Sequence, residues 1–157
     1  MGLFSTIFGK PSKPVLYTLF SSRPSSDLGA WVSSFPNYSE VMGFSSLGHF
    51  FLRNPHDLDY IVLHPFQCAA KSYGSHQSVE DFEAEILKEP GFELYVLRSD
   101  HVAELFGHLG PLTESQIYIP KPYPFLGGSE DLETYEIGDA WIFMHVVAHM
   151  HGLDSNS

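Results

Sequence analysis

The sequence predicts an α+β fold: a single domain with a small, mainly antiparallel sheet packed with three to four helices. Three observations predict it. The chain has 157 residues, 43% of them apolar, enough to close one hydrophobic core and too apolar for a disordered acidic chain. Two strand-length apolar runs, Gly48–Arg53 and Tyr60–His64, flank the turn-forming residues Asn54-Pro55-His56-Asp57, which reads as a β-hairpin. Two later segments repeat apolar residues at helical spacing between recognisable start and stop signals.

Residues 1–26 are rich in Ser and Pro and read as a loosely structured N-terminal arm, with 27–157 forming the domain. Within the arm, Val15–Phe20 has the composition of an edge strand. Asp27 is placed to cap a short helix through Trp31 and Val32 that stops near Pro36. The hairpin follows, with His49 and His64 facing each other across it. Over 78–88, Ser78 and Asp81 fit a capping box, and Val79, Phe82 and Ile86 recur at i, i+3, i+7. Acidic side chains fill the N-terminal half of this helix, and Pro90-Gly91 is expected to end it. Ser99 is placed to cap a second helix, which carries the stripe Val102, Leu105, Phe106, Leu109 before Gly110-Pro111 stops it. Ile117–Ile119 is a short strand, after which Pro120, Pro122 and Pro124 impose an extended path. The last element, Asp139–His151, fits strand or helix. Its length favours a helix, apolar on both faces and therefore buried.

The charge balance narrows the classes of partner. Nineteen acids against eight bases give a net charge of −11, which repels phosphates and favours basic partners; direct nucleic-acid binding is a poor fit. Residues 122–157 hold six acids and no base. The one cysteine, Cys68, sits in apolar surroundings and is expected to be a buried, inert thiol, so no intrachain disulfide forms. No apolar run reaches the roughly 18 residues of a transmembrane helix, and the start lacks the basic region of a secretory signal. Met1–Thr6 matches the myristoylation pattern, but that pattern is short and common by chance. The expectation is a cytoplasmic protein without membrane attachment.

Candidate catalytic chemistry is thin. His145 and His149 lie at i, i+4 and share one helix face, the spacing of a metal pair, but Val146 stands where a metallohydrolase carries its general base. On a strand the same two residues would be ~13 Å apart, too far for one ion. A packed or hydrogen-bonded histidine pair explains them as well. No nucleophile elbow and no phosphate loop is present. With so many carboxylates, no acid pair stands out as a hydrolytic site, and no cofactor is implied.

Several stretches together carry a family pattern. They are Val41–Ser45, Leu47–Pro55, Tyr60–Phe66 and Ala70–Gly74, then Leu109–Leu112, Gln116–Tyr118, Pro124–Ser129 and Gly138–Phe143, closing with His151-Gly152-Leu153. This combination resembles the C-terminal domain of type VI secretion DNase-toxin immunity proteins, which is often joined to a GAD-like domain. The resemblance spans residues 38–153, and the segment before Asn37 has no recognisable GAD-like part, so the chain reads as a stand-alone or shortened member. It implies a non-enzymatic protein that binds and neutralises a cognate toxin in the producing cell, and it brings no catalytic residues with it.

The residues agree with that implication. A DNA-cutting toxin presents a basic groove, which carboxylates can occupy. The candidate partner-binding surface is Glu130, Asp131, Glu133 and Glu136 beside Tyr123, Phe125 and Tyr135; a solvated acidic loop is the plainer account of the same residues. Two alternatives share part of the pattern. One is an immunity protein of the broad SMI1/KNR4-like class, directed at another kind of toxin. The other is a metal hydrolase using His145 and His149.

Overall fold

Strands β3 (Phe50–Arg53) and β4 (Asp59–His64) are apolar without alternation because both their faces are covered. On one face lie Phe50, Leu52, Ile61 and Leu63; on the other lie Phe51, Tyr60 and Val62. The computed structural model describes residues 13–153. The N-terminal part of the expected arm, the Met1–Thr6 pattern and the last four residues of the expected domain lie outside that range.

The two strands pair in the register Phe50↔Leu63 to Arg53↔Tyr60, the hairpin that the turn chemistry predicts. They are the centre of a five-stranded antiparallel meander, completed by β1 (Tyr17–Pro24), β2 (Glu40–Ser45) and β5 (Ala69–Ser75) in the order β1-β2-β3-β4-β5. A bulge between Val41 and Gly43 puts Val41 and Phe44 on one face, three residues apart. A second sheet pairs β6 (Gln116–Pro120) with β7 (Tyr135–Asp139). The whole is a single α+β domain.

One face of the large sheet is covered by the 3₁₀ segment Ser25–Ser34 and by the last helix; the other by three short helical pieces. The first of these, α1 (Val79–Phe82), is capped by Ser78, whose hydroxyl accepts from Asp81 N at 3.1 Å. It widens into a π-turn over Glu83–Leu87, so the buried pair is Phe82 and Leu87 rather than the predicted Phe82 and Ile86. Pro90 does not end the helical region. It opens α2 (Pro90–Tyr95) at a first-turn position where its missing N–H costs nothing, with the Glu89 carboxylate accepting from Phe92 N at 2.8 Å. Then α3 (Ser99–Leu109) buries Val102 and Leu105 against Tyr118 and Tyr135 of the small sheet; Ser99 is its first residue and not its cap, because the left-handed turn at Arg98 starts the helix without a side-chain cap.

The final element is a helix, α4 (Ala140–Met150), started by Asp139, whose carboxylate accepts from Trp141 N and Ile142 N, each at 2.9 Å. It buries Ala140, Phe143, Met144, Val147 and Ala148, a single stripe at i, i+3, i+4, i+7, i+8. Ile142 stays 64% exposed, so the expectation of burial on both faces is corrected. The 3₁₀ segment is tied to this helix by Trp31 Nε1, which donates to Met144 O at 2.9 Å.

Three further expectations change. The boundary at residue 26 does not separate an arm from the domain: β1 runs through the Ser-rich stretch, pairing Arg23 with Val41 and Pro24 with Glu40, because an edge strand tolerates Ser and Pro. The helix predicted from Asp27 is a 3₁₀ segment interrupted at Gly29, whose φ of +62° breaks the helical path. Cys68 is exposed, at the left-handed position that closes a short 3₁₀ turn.

Close approach of β1 to β2 depends on Gly43, where a Cβ would lie 2.3 Å from Thr18 O. Gly43→Ala is expected to destabilise the domain by about 2–3 kcal/mol in urea unfolding, since backbone must move to admit one methyl group. Trp31→Phe is expected to cost about 2 kcal/mol through the lost hydrogen bond and volume.

Candidate functional site

A cleft of about 490 Å³ opens where one end of the β3–β4 hairpin meets α2, the start of α3 and the small sheet. Its floor holds His49 and His64, whose ring centroids are 4.6 Å apart, the cross-strand pairing expected from the hairpin. Phe66, Phe125, Tyr118, Tyr135 and Tyr95 form its walls, and Arg98 and Glu130 stand at its side.

Local geometry sets the state of His49. The hydroxyl of buried Ser45 accepts from Leu47 N at 3.3 Å and His49 N at 3.0 Å, which occupies both of its lone pairs. Its hydrogen therefore goes to His49 Nδ1, 3.2 Å away, leaving the ring proton on Nε2. Burial, then the neighbouring His64 and the Arg98 charge, push the His49 pKa down to about 3. Burial, with Lys71 nearby, also lowers that of His64. At neutral pH the floor is two uncharged imidazoles, able to donate and accept hydrogen bonds but carrying no charge.

The side of the cleft is a polar chain. Arg98 pairs with Glu130. Tyr135 OH lies 3.4 Å from Glu130 Oε1 and 3.0 Å from His101 Nε2. Burial raises the Glu130 pKa, but the hydrogen bond and charge of Arg98 outweigh it, so the carboxyl stays ionised. Tyr135 is held well above the ordinary phenol range by burial and by the Glu130 charge, and so remains a neutral hydroxyl.

The predicted surface is only partly assembled. Phe125, Glu130 and Tyr135 converge on the cleft. Tyr123 is buried instead, stacked with Phe125 and edge-on to Phe143. Glu136 points elsewhere, pairing with Lys121 at 2.8 Å. Asp131 and Glu133 are exposed beside Glu130. The members that the sequence did not single out are Arg98, Tyr95, Tyr118 and Ser45. Arg98 has no sequence signal, because its position depends on a left-handed backbone (φ 55°) ahead of α3.

His145, the first of the two histidines weighed as an alternative metal pair, is engaged by the fold. His145 Nε2 donates to Asp27 O at 3.0 Å, and its ring lies over Gly29, where a Cβ would come within 2.6 Å of Cε1. This histidine therefore fastens α4 to the 3₁₀ segment. His151 does similar work, with Nε2 donating to Pro65 O at 2.8 Å and its ring stacked 4.3 Å from Phe125. Among the described residues no three His, Cys, Asp or Glu side chains come together as a possible metal centre.

The fold has a solved counterpart. The chain is similar to Atu4351 from Agrobacterium tumefaciens, with a TM-score of 0.58 and 15% identity, over 90% of this chain and 67% of that one. At that identity the likeness shows the fold alone. No family model and no curated protein matches the sequence. Among the described residues no helix is long and apolar enough to cross a membrane.

The buried imidazole makes stability pH-dependent. The unfolded chain takes up a proton at His49 near pH 6.5, whereas the folded chain resists until about pH 3, so stability is full above 6.5 and falls as pH drops towards 3. Between pH 7 and 5 this residue alone is expected to cost ~2 kcal/mol. In His49→Asn, whose Oδ1 can take over the bond from Ser45, urea unfolding at the two pH values should show a drop smaller by that amount.

Proposed function

We propose that this chain is a non-enzymatic binding protein, an immunity protein that neutralises a cognate, basic DNase toxin of the type VI secretion class. The observation that carries the reading is the convergence of Phe125, Glu130 and Tyr135 on one aromatic-walled cleft in a chain of net charge −11. The sequence resemblance over residues 38–153 points the same way.

Electrostatics supports a basic partner. Seven Lys and Arg lie among the described residues, and four of them are already paired: Arg23 with Asp27, Arg53 with Glu40, Arg98 with Glu130, and Lys121 with Glu136. Such pairing leaves the excess of carboxylates to set the outer field. That field draws in a positively charged groove and repels the DNA that competes for it. Neutralisation then requires only occupancy: a carboxylate-bearing surface on the toxin's phosphate-binding groove excludes substrate without making or breaking a bond. Within the producing cell, a cytoplasmic location would put the protein where such a toxin acts.

The test is binding and protection. Purified chain is expected to form a stoichiometric complex with the product of the neighbouring gene, inactivated in its nuclease site, and to stop DNA cleavage by the active form at equal concentration. Failure of the wild-type chain to bind or protect would remove the proposal. Asp131→Lys with Glu133→Lys is expected to slow association about tenfold at low salt, with the difference shrinking at high salt.

A further inference from the structure

Tyr95 is 78% exposed and Leu94 is 42% exposed, side by side at the end of α2. Tyr95 is the most exposed of the large apolar side chains described, and it lines the cleft. An aromatic left in water at the mouth of an aromatic-walled cavity has the character of an interface anchor: large area, few rotamers, and a partly desolvated recess beside it.

Charge decides what enters. Inside the cleft, Arg98 is neutralised by Glu130 and the two imidazoles are uncharged, so nothing there holds an anion against the field of the chain. At the side of the cleft stands the carboxylate of Glu130, and Asp131 and Glu133, which follow along the chain, are exposed. The walls present ring faces, which attract cations. A guanidinium suits this chemistry: it stacks on tyrosine and phenylalanine, donates to a carboxylate, and sheds its water at lower cost than an ammonium.

From this we infer that the cleft is the seat for an arginine-bearing segment of the partner polypeptide, with an arginine side chain held between Tyr95 and Phe125 and directed at Oε2 of Glu130, whose Oε1 takes the bonds from Arg98 and Tyr135. The inference rests on the binding role proposed above and adds its location and ligand chemistry. Tyr95 and Leu94 are the anchors outside the cavity; His49 Nε2 and His64 offer hydrogen bonds at its floor.

The experiment uses the whole chain and two probes. In the first arm, hexa-arginine is titrated while the ring signals of His49 and His64 are followed by NMR, with hexaglutamate as the control. Hexa-arginine is expected to shift both rings, hexaglutamate to leave them in place, and Tyr95→Ala to weaken the hexa-arginine response at least tenfold. In the second arm, the inactivated neighbouring-gene nuclease is titrated into wild type and Tyr95→Ala, where a loss of at least tenfold in affinity is expected. Tyr95 is exposed, so its replacement should leave the thermal midpoint unchanged, which is checked in parallel. Unmoved rings, an equal response to hexaglutamate, or a Tyr95→Ala chain as tight as wild type would each overturn the assignment. If wild type binds the nuclease and Tyr95→Ala binds it equally, the docking site lies elsewhere and the immunity reading stands. If wild type does not bind the nuclease, that reading falls on its own evidence.

Discussion

Burial of both faces of the β3–β4 hairpin is the constraint from which the remaining architecture follows. A strand covered on one side only would leave either Phe50, Leu52, Ile61 and Leu63 or Phe51, Tyr60 and Val62 in water. Burying each such side chain is worth about 1.5–3 kcal/mol, so neither set can be left open. The chain meets the demand with two covers of different construction. A long C-terminal helix and a 3₁₀ segment close one side, and a run of short helical pieces closes the other. Sheet pairing is fixed by the same demand, because a one-residue slip would exchange the two apolar sets between covers of different shape.

This arrangement also creates the cleft. His49 and His64 stand at one end of the hairpin, just beyond the doubly covered section. The chain leaving α2 crosses that end, turns at Arg98 and enters α3, while the loop between β6 and β7 delivers Phe125 and Glu130 from the other side. Polar groups in the recess are satisfied locally: Ser45 with His49, Arg98 with Glu130, Tyr135 with His101. Among the described residues no buried side-chain nitrogen or oxygen lacks a partner. The result is a preorganised cleft with an uncharged floor, aromatic walls and a carboxylate, Glu130, at its side.

How far the sequence could be read follows from the range of each interaction. The hairpin, the cap at Ser78 and the stripe on α3 were legible because their signals lie within a few residues of one another. Strands β2, β5 and β7 give no separate signal in the sequence. Their residues lack strong apolar alternation, and they exist because a neighbouring strand offers a ladder. Pro90 fits a helix stop as well as a start by sequence, and only the Glu89 cap makes it a start. Of the expected binding residues, Phe125, Glu130 and Tyr135 reach the cleft, whereas Tyr123 turns into the core and Glu136 is taken by Lys121. Sequence proximity cannot separate them.

The sequence by itself determined the α+β class, the central hairpin with its facing histidines, the Ser78 cap, the apolar stripe of α3 and the sign of the electrostatic field. Each rests on local spacing or on a sum over composition, and both survive without knowledge of the fold. Only the tertiary structure decided which aromatics are core and which are free, that His145 is a fastener to Asp27, and that Arg98, Tyr95 and Glu130 meet at one opening. Those outcomes depend on contacts between segments tens of residues apart, where burial and pairing with a distant partner set the role of a side chain and the identity of the residue does not.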